Sequence, residues 1–181
     1  AGSPAGRPIP RASEAPFAGR ANASPGSFSS ARPAATSKNA RARRGLTVPQ
    51  EWYEAPVFYY SNPGAFVGHR SPVRKPHWTE ALDYELELGW VIGAKARDVA
   101  AEEWRSVVAG FTILNDWSAR DVQRREMAVG LGPAKGKDFA MSLGPWLVTL
   151  DELADRFDGE RHDLEMVARI NDEEVSRGNA K

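Results

Sequence analysis

The sequence predicts a sheet-rich α+β domain, and three observations carry that expectation. Trp, Tyr, Val and Leu fall in short blocks between turn residues rather than in long amphipathic stripes. Only three short stretches have helical character, and the remaining apolar segments read as strands. Hydrophobic residues make up 41% of the 181-residue chain, enough for the core of one domain.

The elements follow in order. Pro56 to Ser61 is a β-rich segment that stops at the turn signal Asn62-Pro63-Gly64. Asp83 to Gly93 alternates and then runs apolar, as a strand entering a core does. Asp98 to Arg105 has helical character, and Val107 to Leu114 reads as a second buried strand. Ser118 with Asp121 three residues on resembles a capping box and predicts a helix to about Met127. Gly130, Gly132, Pro133 and Gly136 form a loop. Leu143 to Leu150 reads as a third core strand, and Asp151 to Phe157 as a short helical turn. Leu164 to Ile170 is a strand, turned by Asn171-Asp172 into Glu174–Arg177.

Residues 1–46 differ in kind. They are Ala, Arg, Pro, Ser and Gly, with Ile9, Phe17, Phe28 and Leu46 as the only large apolar side chains. Such a stretch buries too little surface to offset chain entropy, so it reads as a disordered tail ahead of a domain at 47–181. The first 50 residues carry eight basic groups against one acid, Glu14, and the rest 16 against 23. The front is therefore about +7 and the back about −7, although the formal net charge is zero. The run Arg41-Ala42-Arg43-Arg44 lacks interleaved aromatics, so nucleic acid is not the expected partner.

Several chemistries are excluded. With no cysteine there is no disulfide, thiolate metal site or cysteine nucleophile, which suits a reducing cytoplasm. No apolar run reaches the roughly 20 residues that span a bilayer. Neither a phosphate-binding loop around Lys137 nor a nucleophile elbow is present. His69, His77 and His162 lack metal-ligand spacing and read as structural or exposed.

The residues that suggest chemistry are acids. Glu85 and Glu87 sit two apart in a predicted strand, so both carboxylates share one face while Tyr84, Leu86 and Leu88 take the other. Two acids this close repel unless a positive charge lies between them, and a hard cation with oxygen ligands answers that need. On the pattern alone, a solvent-facing strand edge is the commoner outcome. Asp116 closes an apolar strand, where site residues often lie, but Asn-Asp before a helix commonly just turns the chain. Lys137, in Gly136-Lys137-Asp138-Phe139, has a surface lysine as its default reading.

Taken in order, these pieces resemble one family. Asp83-Tyr84-Glu85-Leu86-Glu87-Leu88, Val91-Ile92-Gly93, Asn115-Asp116-Trp117-Ser118-Ala119-Arg120-Asp121, Gly136-Lys137-Asp138-Phe139 and Leu143-Gly144-Pro145-Trp146-Leu147-Val148 are similar to the fumarylacetoacetate hydrolase family over about residues 49–181. The resemblance implies a mixed β-sandwich roll around a carboxylate-bound Mg²⁺, Mn²⁺ or Ca²⁺. It implies hydrolysis of carbon–carbon bonds in β-diketo acids, or isomerisation, decarboxylation or tautomerisation of related keto-enol acids from aromatic catabolism. Glu85, Glu87 and Asp116 take the metal-ligand positions. Lys137 takes that of a lysine near the metal, and Tyr59 and Gln123 those of substrate contacts. A homodimer is implied as well.

The sequence also departs from the family pattern. The hydrolases carry a histidine base upstream of the Tyr59 segment, and this chain has none before His69. Met127 stands where the family often has Tyr, and Met141 where hydrolases have Thr. Residues 1–46 have the composition that GC-rich DNA yields when read out of frame, so a frame change near Gly45–Leu46 would account for the missing histidine. The family continues with further strands after the Asn171–Arg177 hairpin, and the expectation is a roll that lacks them.

Overall fold

A computed structural model describes residues 45, 47–54, 58, 60–130 and 132–181. Tyr59 and nearly all of the tail at 1–46 lie outside the described residues. So does most of the predicted strand Pro56–Ser61; Phe58, Tyr60 and Ser61 belong to no regular element.

A long antiparallel ladder organises the molecule. Strand β3 (Leu86–Ile92) pairs with β4 (Val108–Asp116) from Leu86↔Asn115 to Ile92↔Val108, with a register shift only between Val91 and Ile92. Strand β6 (Met141–Leu143) pairs antiparallel with the other edge of β4, matching Asp116 to Met141. Strand β1 (Phe66–Val67) adds in parallel to β6, giving the order β1-β6-β4-β3. Ahead of β1, helix α1 (Glu51–Glu54) is a single turn, and a second turn at Pro63–Ala65 is capped by Asn62, whose Oδ1 accepts from Gly64 N at 3.0 Å. Two smaller pairs flank the main sheet: β2 (Leu82–Asp83) with β5 (Ser118–Ala119), and β7 (Glu165–Ile170) with β8 (Glu173–Asn179). Helix α2 (Arg120–Val129) is the one helix of more than a few residues among those described. The β-rich α+β class thus stands as expected. No helix among the described residues is long and apolar enough to cross a membrane.

The register gives the ladder two distinct faces. Glu87 lies opposite Leu114 and Trp90 opposite Phe111, so Glu87, Leu114 and Asp116 share one face and Trp90 and Phe111 the other. On the aromatic face, Phe111 is 1% exposed and meets Trp90 edge-on at 5.0 Å between ring centroids. Trp104 and Phe157 extend this cluster, and His162 lies 4.7 Å from Phe111 and 4.8 Å from Phe157. The Arg105 guanidinium covers the Trp104 and Phe157 rings at 4.9 and 4.3 Å. His162 is thus a buried core residue, as one of the two sequence readings had it. Gly110 lets the chain close against this strand: a Cβ there would stand 2.3 Å from the Val148 carbonyl oxygen, where Phe111 and Val148 exchange backbone bonds of 2.8 Å.

Four expected elements change. The strand Asp83–Gly93 is two pieces, because the chain turns at Tyr84-Glu85: Tyr84 N donates to Asp83 Oδ1 and Glu85 N to Asn115 Oδ1. The strand Leu143–Leu150 shrinks to β6 plus a single bridge at Val148, since Pro145 has no N–H to give a ladder. The helical stretch at Asp98–Arg105 is a tighter turn at Ala101–Ser106. Ser118 does not cap α2. It is buried in β5 opposite Asp83, its hydroxyl donates to the Asp116 carbonyl at 3.1 Å, and Ala119 takes the cap position.

Two turns match the sequence closely. Asn171 and Asp172 have φ of 50° and 66°, the left-handed pair that a two-residue hairpin turn needs and that Asn and Asp tolerate. Gly130, at φ 83°, ends α2 in the left-handed conformation that glycine adopts freely.

Candidate metal centre

Three acids meet on the face of the ladder away from the aromatic cluster. Glu85 arrives just before β3, Glu87 one residue inside it, and Asp116 at the end of β4; Asp116 N donates to the Glu85 carbonyl at 3.0 Å. One carboxylate oxygen from each lies within 4.8 Å of the others. Asp116 is 2% exposed and Glu87 is buried. Glu87 and Asp116 share a face of the ladder, whereas Glu85 reaches them from the turn ahead of β3 and not by strand alternation.

Two cations hold the acids in place. Lys137 is completely buried, and its Nζ stands 2.7 Å from Glu85 Oε2 and 2.8 Å from Asp116 Oδ2. This overturns the surface-lysine default. Arg120, the first residue of α2, places Nη1 2.6 Å from Glu85 Oε1 and Nε 2.7 Å from Asp83 Oδ2. Burial alone would lower the Arg120 pKa, but the bonds to Glu85 and Asp83 outweigh it and raise the pKa above the usual arginine value. Arg120 Nη1 also donates to Gln123 Oε1 at 3.0 Å, which brings Gln123 to the edge of the cluster.

The three carboxylates offer oxygen-only donors in close approach, with Glu87 and Asp116 buried, a donor set that fits a hard divalent cation such as Mg²⁺ or Ca²⁺.

The loop that carries Lys137 is itself anchored. Glu126 of α2 accepts from three successive backbone N–H groups: Ala134 at 2.9 Å, Lys135 at 2.7 Å and Gly136 at 3.1 Å. Burial pushes the Glu126 carboxyl up, but these donors hold it below the ordinary glutamate value. Asp138, next to Lys137, is driven the other way: burial first, then the nearby Glu126 and Asp116 charges, raise its pKa.

Sequence reasoning missed Arg120, Asp83 and Glu126 as parts of this region. Asp83 continues the alternation of Glu85 and Glu87, and that signal was readable. Arg120 lies one helical turn before Gln123, so the helix phase alone could have paired them. Glu126 had no such signal, because its partners lie eight to ten residues on in an irregular loop. Met127 is exposed, and Met141 is buried directly opposite Asp116 in the β4–β6 ladder. His69 and His77 are exposed, and His162 belongs to the aromatic face rather than to this site.

Comparison with known proteins gives the family. The family model described as fumarylacetoacetate (FAA) hydrolase C-terminal matches residues 30–181. The mitochondrial oxaloacetate tautomerase of Homo sapiens is 35% identical over 136 residues, which cover 75% of this chain and 40% of that protein. A 2,4-didehydro-3-deoxy-L-rhamnonate hydrolase from Sphingomonas is 33% identical over 136 residues, 75% of this chain and 44% of its own. Among solved structures, the fumarylacetoacetate hydrolase of Exiguobacterium antarcticum has a TM-score of 0.56 at 33% identity, covering 68% of this chain and 42% of that one. The 5-carboxymethyl-2-hydroxymuconate delta-isomerase of Mycobacterium smegmatis has a TM-score of 0.56 at 32% identity, covering 68% and 45%. The chain spans less than half the length of these relatives. With a family model matched over most of its length and the acids, lysine and arginine gathered at one point, this chain belongs to the fumarylacetoacetate hydrolase family.

Proposed function

We propose that this chain holds the metal centre of a divalent-cation-dependent hydrolase that cleaves carbon–carbon bonds in fumarylacetoacetate-like or acylpyruvate-like β-diketo acids. The observation behind the reading is the convergence of Glu85, Glu87 and Asp116 on one largely buried point with Lys137 between two of them. Those three carboxylates would hold Mg²⁺, Mn²⁺ or Ca²⁺. When bound, the cation supplies Lewis-acid polarisation of a substrate carbonyl. Lys137 fixes Glu85 and Asp116 through its ammonium and adds positive charge where an enolate would develop. Gln123, turned by Arg120, and Tyr59 would contact the substrate and orient its carboxylate and enol.

A second reading is a keto-enol tautomerase, isomerase or decarboxylase of the same family. Its support is the relatives, among which an oxaloacetate tautomerase and a 5-carboxymethyl-2-hydroxymuconate delta-isomerase stand beside the hydrolases. We further read the protein as a homodimer of the cytoplasm, acting in aromatic catabolism, with residues 47–181 as its catalytic unit and 1–46 as a tail.

Calorimetric titration with Mg²⁺, Mn²⁺ and Ca²⁺ tests the centre. Equal binding by wild type and a Glu85→Ala/Glu87→Ala variant would refute the ligand assignment. Incubation with an acylpyruvate and with oxaloacetate, followed by loss of enol absorbance and by product analysis, separates the reactions. Two acid products identify the hydrolase, and enol loss without cleavage identifies the tautomerase. Metal binding without turnover of either identifies a catalytically silent homologue. Intact mass and light scattering test the tail and the dimer.

A further inference from the structure

We infer that Glu126 is the positioning residue of this site: its carboxylate clamps the 134–136 loop to α2 and thereby holds the Lys137 ammonium between Glu85 and Asp116. The inference rests on the reading of that cluster as the functional centre.

The geometry of the clamp is unusual for a surface glutamate. Three consecutive backbone N–H groups converge on a single carboxylate, with Oε2 serving Ala134 and Gly136 and Oε1 serving Lys135. A loop with successive N–H groups pointing inward is an anion cradle, and here the anion comes from the chain itself. Charge-assisted bonds of this kind are about twice as strong as neutral ones.

The loop has no slack around this clamp. Lys137 N and Asp138 N both donate to the Ala134 carbonyl at 2.9 Å, so the lysine sits in a closed turn. The Gly136 carbonyl accepts from Ala119 N at 2.8 Å, tying the turn to the start of α2. Gly136 also packs flat on the helix: a Cβ there would stand 2.8 Å from Gln123 N, 3.0 Å from Gln123 Cα and 3.1 Å from Glu126 Oε2. The helix that carries Glu126 is the one whose first residue, Arg120, grips Glu85. One helix therefore delivers both cations to the acids, Arg120 directly and Lys137 through Glu126 and the loop.

A lysine side chain has many rotamers, and burying it in one costs entropy that its surroundings must offset. An anchored Cα removes part of that freedom before the ammonium binds. Loosening the loop is then expected to free the amine without disturbing β3 or β4.

The test measures labelling of Lys137 by an amine-reactive ester, read by tandem mass spectrometry, with exposed Lys135 as the control in the same peptide. Wild type is expected to label at Lys135 and resist at Lys137. Glu126→Ala and Gly136→Ala attack the clamp from its two sides, and each is expected to raise Lys137 labelling tenfold or more. Glu126→Gln keeps one acceptor oxygen but turns an N–H donor toward one of the loop's donors, so an intermediate increase is expected. In each variant Mg²⁺ affinity should shift with the labelling, while the thermal midpoint drops by far less than in a variant of the aromatic core. Lys137 labelling unchanged in both Glu126→Ala and Gly136→Ala would overturn the inference. So would labelling that rises only in step with global unfolding. A Lys137→Met variant separates this from the underlying reading: Mg²⁺ affinity and turnover unmoved by Lys137→Met would sink the functional role of the cluster, whatever Glu126 does.

Discussion

Replacing Lys137 by methionine should destabilise the metal-free protein, and divalent cations should restore much of the loss. Methionine keeps most of the side-chain length and volume while deleting the charge. The ammonium has no contact with solvent, and its acceptors are 2.7 and 2.8 Å away on carboxylates that are 15% and 2% exposed. At an effective dielectric of about 20, each contact represents roughly 6 kcal/mol of Coulomb attraction. Desolvation of the amine takes back several kcal/mol of that. What remains is the cost of removing one partner from a buried ion pair, about 3–5 kcal/mol. Glu85 keeps Arg120 at 2.6 Å. For a domain of this size each kcal/mol moves the thermal midpoint by about 2–4 °C, giving a drop of roughly 6–20 °C. The substitution also leaves the acids one positive charge poorer. Mg²⁺ stabilises both proteins, so the gap narrows by the amount that the variant, one positive charge poorer, binds it more tightly: about 1.4 kcal/mol for each tenfold. The assay is thermal unfolding followed by circular dichroism, in chelator and in Mg²⁺. A Lys137→Met midpoint equal to wild type in chelator would show that the amine does not hold the carboxylates. A gap of the same size with and without Mg²⁺ would refute the idea that the amine and the metal answer the same charge.

Three further outcomes follow from the packing and the titrating groups. Phe111→Ala should cost about 3–5 kcal/mol, read by urea unfolding, because a nearly inaccessible ring touching Trp90 and His162 leaves a cavity; a loss below 1 kcal/mol would contradict the described core. Asp121 accepts from Thr79 Oγ1 at 2.5 Å and Glu80 N at 3.1 Å, which lowers its pKa to about 2. Its stabilising contribution is present above about pH 4 and disappears as the pH falls toward 2, so Asp121→Asn should flatten the thermal midpoint against pH across that window. His162 is held below its ordinary 6.5, first by burial and then by Arg105. Below that pH the unfolded chain takes up a proton that the folded chain resists, so stability should fall on acidification. A His162→Gln variant should lack that slope.

The site was partly legible in the sequence because strand chemistry is periodic. The closeness of Glu85 and Glu87 was legible in their spacing, although Glu85 sits in the turn ahead of β3 and not on its alternation, and Asp116 was legible from its place at the end of an apolar run. Lys137 was visible as a residue type but not as a buried one, because an irregular loop has no period from which burial can be read. Helix α2 was found for an incomplete reason: Ser118 looks like a cap, yet tertiary pairing with Asp83 claims it for β5. Asp121, the other half of that supposed cap, serves Thr79 and Glu80 from a distant segment instead. Interruptions of strands were the least legible feature. Pro145 was in plain view, but the neighbouring Leu147 and Val148 made the apolar run look continuous. The hairpin at Asn171-Asp172 was fully legible, since two residues able to adopt left-handed backbone specify a two-residue turn without help from elsewhere.

The β3–β4 ladder runs without a break from Leu86 to Val91 and slips only at Val91–Ile92. The placement of Glu87 and Asp116 on one face is therefore counted out in residues, and the chain cannot change length there without moving one of them off it. One residue inserted or deleted between Leu86 and Val91 would rotate Glu87 into the aromatic layer or Trp90 into the acids. A few positions later the tolerance reverses. Gly93 to Ala100 is exposed and outside any strand, so whole extra segments could be spliced in there while the distance between acids stays as it is. Drift in this lineage, and any engineered graft, should gather in that connection and spare the six rungs before it.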